Sequence, residues 1–375
     1  MKTSKIPKTV VFLCGASDFH AMDWYRSALK ILPERNFVIL TDLIAGEGYK
    51  KLINDKDEVY KLLIIDKLLF NVQSKIANIW RNFIKLIVFP YQVYLLRAFS
   101  KRYSNSVYFA HSMYYIVLAW ASRVEYVGTP QGSDILIKPF RSRLYKFFTI
   151  KALLRAKEVT VDSLNMSKIV ESLCNKKPII IQNGIDLESI IKINKVSKNK
   201  QDIKRIGILS IRGITPIYRI KEIIEGRNIS KENKKTKLMF TAPFYEDDYK
   251  SEICKELKPF DQFLGRIEKL SLYKTLLETK LVISIPKSDS SPKSVYESIF
   301  LGCAIAITFN EYYNLLPSCM QSRIILINLD DNDWFRKAIL SANEIVKHPY
   351  IPSKKALYLF DRRESFKSIV ELLDK

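Results

Sequence analysis

A chain of 375 residues, 47% hydrophobic and 27% charged, is too apolar to be disordered and long enough for two domains of ordinary size. Its 61 Lys and Arg against 39 Asp and Glu leave a formal charge of +22, which points to anionic partners: nucleic acid, acidic lipid surfaces or phosphorylated small molecules. Five cysteines without CxxC spacing (Cys14, Cys174, Cys254, Cys303, Cys319) and three histidines without paired ligand spacing (His20, His111, His348) argue against a disulfide framework and a metal-first enzyme, and for a reducing compartment.

The N-terminus places lysines ahead of a short apolar run, VVFLC. It is shorter than the apolar region of a secretory signal and reads as a first buried strand over 10–14. Further strand patterns fall at 37–41, 62–65, 107–110, 125–128, 159–162 and 178–182. Helical patterns lie between them at 22–32, 68–85, 91–101, 114–123, 141–155 and 165–174. The most apolar segment, 76–99, is interrupted by Arg81, Lys85, Pro90 and Arg97, so no membrane-spanning helix is expected from it. Repeated strand and helix units predict a mostly parallel sheet covered on both faces.

The lysine-rich interval 192–204, KINKVSKNKQDIK, reads as a linker. It divides a first domain over 1–200 from a second over 201–352, and 353–375 is expected to form a C-terminal helix able to pack back on the first domain. In the second domain strands are expected at 205–210, 237–242, 262–267, 281–285, 304–308 and 323–327. Helices are expected at 218–225, 247–257, 269–279, 334–347 and 354–373. Two α/β domains of similar build predict a ligand cleft between them.

The stretch 281–307, LVISIPKSDSSPKSVYESIFLGCAIAI, concentrates the chemistry of the second domain. A buried-type strand leads into a polar loop holding Pro286, Lys287 and Pro292, then a helix start, Gly302 and another strand. This puts the loop and helix N-terminus at the carboxyl edge of a parallel sheet, where open α/β sheets bind ligands. Ser294 and Glu297 have the spacing of a capping box. The competing account has Glu297 accepting hydrogen bonds from sugar hydroxyls while free helix amides face phosphate oxygens. Asp289, eight positions earlier, brings a second carboxylate within reach of the same pocket.

The pattern SDSSPKSVYESIFLGCAIAI resembles the C-terminal signature of glycosyltransferase family 4, in which two acidic residues flank seven others. The first of the pair is usually Glu in that family and is Asp289 here. Asn183-Gly184-Ile185-Asp186 resembles the family's NGxD turn. Ser210-Ile211-Arg212 stands where the family places a basic residue against the pyrophosphate, and Leu264-Gly265-Arg266-Ile267 resembles the loop that cradles the nucleoside base. The usual lysine a few residues after the basic position is Ile217 here, leaving Arg219 or Lys221 to substitute. Gly128-Thr129-Pro130-Gln131-Gly132-Ser133-Asp134 resembles a family loop in which histidine often precedes the Gly. Gln131 can hydrogen-bond a sugar hydroxyl but cannot exchange a proton near neutral pH.

The resemblance implies an α/β GT-B fold, two Rossmann-like parallel-sheet domains facing a central cleft. It implies transfer of a sugar from a nucleotide-diphosphate donor to a glycan or lipid-linked acceptor in cell-surface polysaccharide synthesis, with retention and with no cofactor or obligatory metal. Under it Glu297 holds ribose hydroxyls, Asp289 the sugar, and Arg212 with the amides near Ser294 the diphosphate. Gly265, Arg266, Ile267 and Lys287 complete the donor site, and Gly15, Gln131, Asp134 and His111 lie on the acceptor side. Two other readings stay open: a GT-B sugar-nucleotide epimerase, and a non-catalytic basic protein that binds membrane surfaces.

The stretch IKPFRSRLYKFFTIKALLRAK interleaves Lys138, Arg141, Arg143, Lys146, Lys151 and Arg155 with Phe140, Leu144, Tyr145, Phe147 and Phe148, and IWRNFIKLIVFPYQVYLLRAFSKRY is of the same kind. This suits helices lying on an anionic membrane; packed helices with solvated charges are the competing account. Neither stretch matches an RNA-binding aromatic motif and no helix-turn-helix signal is present, so nucleic acid is not an expected partner. The expected location is cytoplasmic, peripheral on the inner face of the cell membrane.

Overall fold

The computed structural model describes residues 9–15, 19–42, 59–62, 75–198 and 205–374. Its contacts divide the chain into two compact units, Met1–Gln182 with Ser365–Lys375, and Asn183–Glu364. The first unit holds strands β1 (Thr9–Cys14), β2 (Phe37–Thr41), β3 (Val59–Lys61), β4 (Ser106–His111), β5 (Tyr126–Thr129), β6 (Glu158–Val161) and β7 (Ile179–Ile180). They pair in the order β3-β2-β1-β4-β5-β6-β7, all parallel. A run such as VVFLC, with no polar alternation, fits a strand covered on both faces. One face is filled by Phe12, Trp24, Phe37, Phe109 and Phe366, the other by Val11, Leu96, Tyr108, Leu118 and Tyr126. The order reverses between β1 and β4, which places Gly15 and His111 at a topological switch point.

The second unit holds β8 (Gly207–Ser210), β9 (Leu238–Thr241), β10 (Gln262–Gly265), β11 (Thr279–Ser284), β12 (Ala304–Ile307) and β13 (Ile324–Leu326). Their order is β10-β9-β8-β11-β12-β13, again parallel throughout. Its switch point lies between β8 and β11. Arg212 follows the first of these strands and the 285–292 loop follows the second.

Several boundaries differ from the sequence reading. The helices expected at 68–85 and 91–101 are one, Lys75–Arg102, which runs through Pro90. Proline removes an N–H and crowds the carbonyl four residues earlier. That residue, Leu86, is 74% exposed, so water can take the orphaned carbonyl. Because the helix is unbroken, Phe83–Arg102 is long and apolar enough to cross a membrane by length and composition alone, although Lys85, Pro90 and Arg97 still interrupt it. Residues 63–65 and 68–74 of the expected elements lie outside the described residues.

Part of the expected linker is helical. Leu187–Lys198 packs into the second unit through Leu187 and Ile190, and 199–204 lie outside the described residues. The C-terminal helix is two helices, Lys354–Phe360 and Arg362–Asp374. Between them the backbone pairs with Ile185: Ile185 N donates to Phe360 O at 2.9 Å and Arg362 N to Ile185 O at 3.1 Å. This pairing replaces helical hydrogen bonds and turns the chain. Lys354–Phe360 then stays with the second unit through Ala356 and Phe360, while Arg362–Asp374 packs mostly in the first through Phe366, Ile369 and Leu373.

Candidate functional site

At the carboxyl edge of the second sheet, Arg212 lies two residues beyond the end of β8. Its Nε donates to Ser284 Oγ at 2.8 Å, at the end of β11, and its Nη2 donates to Asp289 in the following loop. The guanidinium also stands over the Tyr218 ring, 5.6 Å from the centroid. Asp289 Oδ1 accepts from Ser290 N at 3.0 Å. The loop is pinned from its other side, because Lys287 N donates to Ile217 O at 2.8 Å while the Lys287 side chain is exposed. Burial raises the pKa of Tyr218, and that of Tyr312 beneath the same pair. A half-buried guanidinium and carboxylate held by two loops form a polar cluster that can exchange partners with an anionic, hydroxyl-rich ligand.

The capping account of Glu297 does not hold. The helix is Lys293–Phe300 with Pro292 at its N-cap, and no side chain caps it. Ser294 lies inside the first turn, where its carbonyl accepts from Ser298 Oγ at 2.7 Å. Glu297 is therefore too far into the helix to reach back to the cap. Its carboxylate is 1% exposed and accepts instead from Lys269 Nζ at 2.5 Å and Tyr273 OH at 3.1 Å, both on Lys269–Glu278. Burial, and then the charge of Glu297, push the Tyr273 phenol well up. Lys269 and Tyr273 were missed in the sequence; their signal is a Lys-x-x-x-Tyr pair on one helix face just after β10. Gly265 ends β10 in the left-handed region at φ +64°, with open space where a Cβ would stand. Beside it Arg266 is exposed and Ile267 half-buried.

In the first unit Gly15 follows β1 directly. A Cβ there would stand 3.2 Å from Tyr115 OH and 3.5 Å from Asp42 Oδ1. Asp42 pairs with Lys85, whose Nζ also donates to Tyr115 OH at 3.3 Å. This buried group is not legible from sequence spacing. Residues 16–18 of the expected loop lie outside the described residues. His111 ends β4 and is buried. Asp134 is buried beneath Gly132–Leu136, where its oxygens accept from Met113 N at 2.9 Å, Lys138 Nζ at 2.7 Å and Gln131 N at 3.4 Å. Its carboxylate thus organises the loop that presents the half-buried Gln131.

No family model and no curated protein sequence matches the chain. Solved structures do. The chain is similar to Anabaena HepE in complex with UDP, at 13% identity over 98% of this chain and 99% of that one, with a TM-score of 0.68. HepE is also known in complex with UDP-glucose. A glycosyltransferase from Rickettsia africae aligns at 11% identity over 98% of both chains, TM-score 0.68. The sucrose-phosphate synthase of Thermosynechococcus elongatus aligns at 10% identity over 97% and 98%, TM-score 0.71. The fold expected from the sequence, two Rossmann-like parallel sheets of the GT-B kind, is the fold these structures share with the chain.

Proposed function

We propose that the chain is a glycosyltransferase that moves a sugar from a nucleotide-diphosphate donor to a glycan or lipid-linked acceptor in cell-surface polysaccharide synthesis. The observation that carries this reading is the pair of clusters at one edge of the second sheet, Arg212–Ser284–Asp289 and Glu297–Lys269–Tyr273. Glu297 accepts from the ribose hydroxyls, and Asp289 from the sugar. Arg212 and the first amides of Lys293–Phe300 take the charge that grows on the diphosphate as the anomeric bond breaks. This supplies leaving-group stabilisation from side chains and backbone; the resemblance to glycosyltransferase family 4 is what supports retention of configuration and transfer without an obligatory metal.

The acceptor side belongs to the first unit, and its membrane face is read from two helices that both pack on Met113–Ser122. Lys75–Arg102 exposes Phe83, Ile87, Tyr91 and Tyr94, and Arg143–Arg155 exposes Leu144 and Phe147 among Arg143, Lys146 and Lys151. Aromatic residues and cations on one layer support binding to the anionic inner face of a cell membrane. Because Lys75–Arg102 also buries Leu96 and Gln92, it is read as lying on the bilayer.

Thermal-shift titration with UDP, GDP, CMP and ADP tests the donor site. One nucleotide, with UDP the first choice, should stabilise the protein saturably; stabilisation by none of them removes the assignment. Co-sedimentation with vesicles should rise with anionic lipid and fall with salt, and equal binding to neutral vesicles defeats the membrane reading.

A further inference from the structure

At the strand ends opposite Arg212, three connections of the second unit converge. Arg205 precedes β8, Gly302 precedes β12 and Arg323 precedes β13. Gly302 has φ +87°, and a Cβ built on it would stand 2.8 Å from Arg205 Nη2 and 3.9 Å from Arg323 Nη2. Two guanidinium groups therefore crowd one point, and Arg323 is 5% exposed. Among the described residues neither pairs with a carboxylate. Arg205 donates to the carbonyls of Leu276, Thr279 and Leu301 at 3.1, 3.0 and 2.5 Å. Arg323 donates to those of Cys303, Ile345, His348 and Gly302, which accounts for four of its five N–H groups. Leu276, Leu301 and Ile345 mark three helix C-termini. At roughly half a negative charge each, these ends offset most of two full positive charges but not all. Burial, and then the repulsion of Arg205, lower the pKa of Arg323.

Both guanidiniums line a pocket of about 660 Å³. Its rim adds Lys195, Lys347 and His348, Phe300 forms part of its wall, and no carboxylate is among its described lining residues. We infer that this pocket binds a small organic phosphate, with the anionic head on Arg205 and Arg323 and the apolar body against Phe300. A phosphate presents three oxygens and can engage both guanidiniums at once, whereas a carboxylate presents two. The site stands at the edge of the sheet opposite Arg212 and does not depend on the donor reading.

The test is a thermal-shift titration of the full chain with inorganic phosphate and with phenyl phosphate, against chloride at equal ionic strength. Wild type is compared with the Lys195→Ala/His348→Ala double variant and with Arg212→Ala. Both altered rim residues are exposed, so the double variant should melt as wild type does without phosphate. Saturable stabilisation is expected in wild type and Arg212→Ala, tighter for phenyl phosphate, and roughly tenfold weaker in the rim variant. An Arg205→Lys variant, which keeps the charge but loses the fork, should weaken phosphate similarly. The proposal is overturned by the absence of saturable stabilisation, by equal stabilisation of wild type and rim variant, or by its loss in Arg212→Ala alone, which assigns the phosphate to the other edge.

Discussion

Asp289 accepts a hydrogen bond from the guanidinium of Arg212, 77 positions earlier, while the same guanidinium donates to Ser284 at 2.8 Å. Under the proposed function, a diphosphate arriving at this edge would compete with Asp289 for Arg212 and release the carboxylate to accept from a sugar hydroxyl. Arg212→Ala should therefore weaken nucleoside diphosphate binding by about 1.5–3 kcal/mol, or roughly 10- to 100-fold. Asp289→Asn removes the competitor, so calorimetry should show binding that is equal or tighter while sugar transfer falls roughly 100-fold. Loss of nucleotide binding in Asp289→Asn equal to that in Arg212→Ala would contradict this exchange.

Glu297 is buried against Lys269 and Tyr273, not placed at a helix cap. Glu297→Gln keeps the shape and removes the charge. Nucleoside diphosphate affinity is expected to drop roughly tenfold, whereas pyrophosphate, which has no ribose, should bind as to wild type. If both probes weaken equally, Glu297 acts on the diphosphate or on the fold and not on the ribose.

Arg227 Nη1 donates to both oxygens of Asp261 at 2.6 and 2.7 Å, and both side chains are wholly buried. Asp261 also accepts from Leu238 N at 2.9 Å and Lys258 N at 2.8 Å. Asp261→Ala leaves a buried cation with no counter-charge and only Asn228 Oδ1 and Thr236 O as acceptors, strips two amides of their acceptor, and should cost about 3–5 kcal/mol in urea unfolding. A loss below about 1 kcal/mol would mean that water reaches Arg227.

Burial raises the Tyr108 phenol to about 12, and pushes Tyr115, Tyr126 and Tyr273 up as well. Their ordinary value is 10.0. Above that pH the unfolded chain releases phenolic protons that the folded chain retains, so the unfolded state binds fewer protons and stability falls as pH rises. Below pH 10 this contribution is flat. Tyrosinate absorbance should show a class of phenols that ionise only as the protein unfolds; full titration of all 20 Tyr in the folded protein near pH 10 would refute this.

The sequence by itself determined the alternation of strands and helices, and hence the parallel sheets, because runs such as VVFLC and LVISI are legible as strands with both faces covered. It also placed Arg212, Asp289 and Glu297 near one sheet edge, since each follows a strand or opens the next helix. What it could not carry was the start of the helix after Pro292. Ser294 and Glu297 have the spacing of a capping box whether the helix begins at residue 293 or later, and only the backbone hydrogen bonds choose. Nor could it reveal that Phe360–Arg362 pairs with Ile185, a contact that divides the C-terminal helix and sends its last turns to the first unit. The Arg212–Asp289, Glu297–Lys269 and Arg227–Asp261 pairs join residues tens of positions apart. Their partners are fixed by which strands lie side by side in the sheet, and strand order is a property of the tertiary structure.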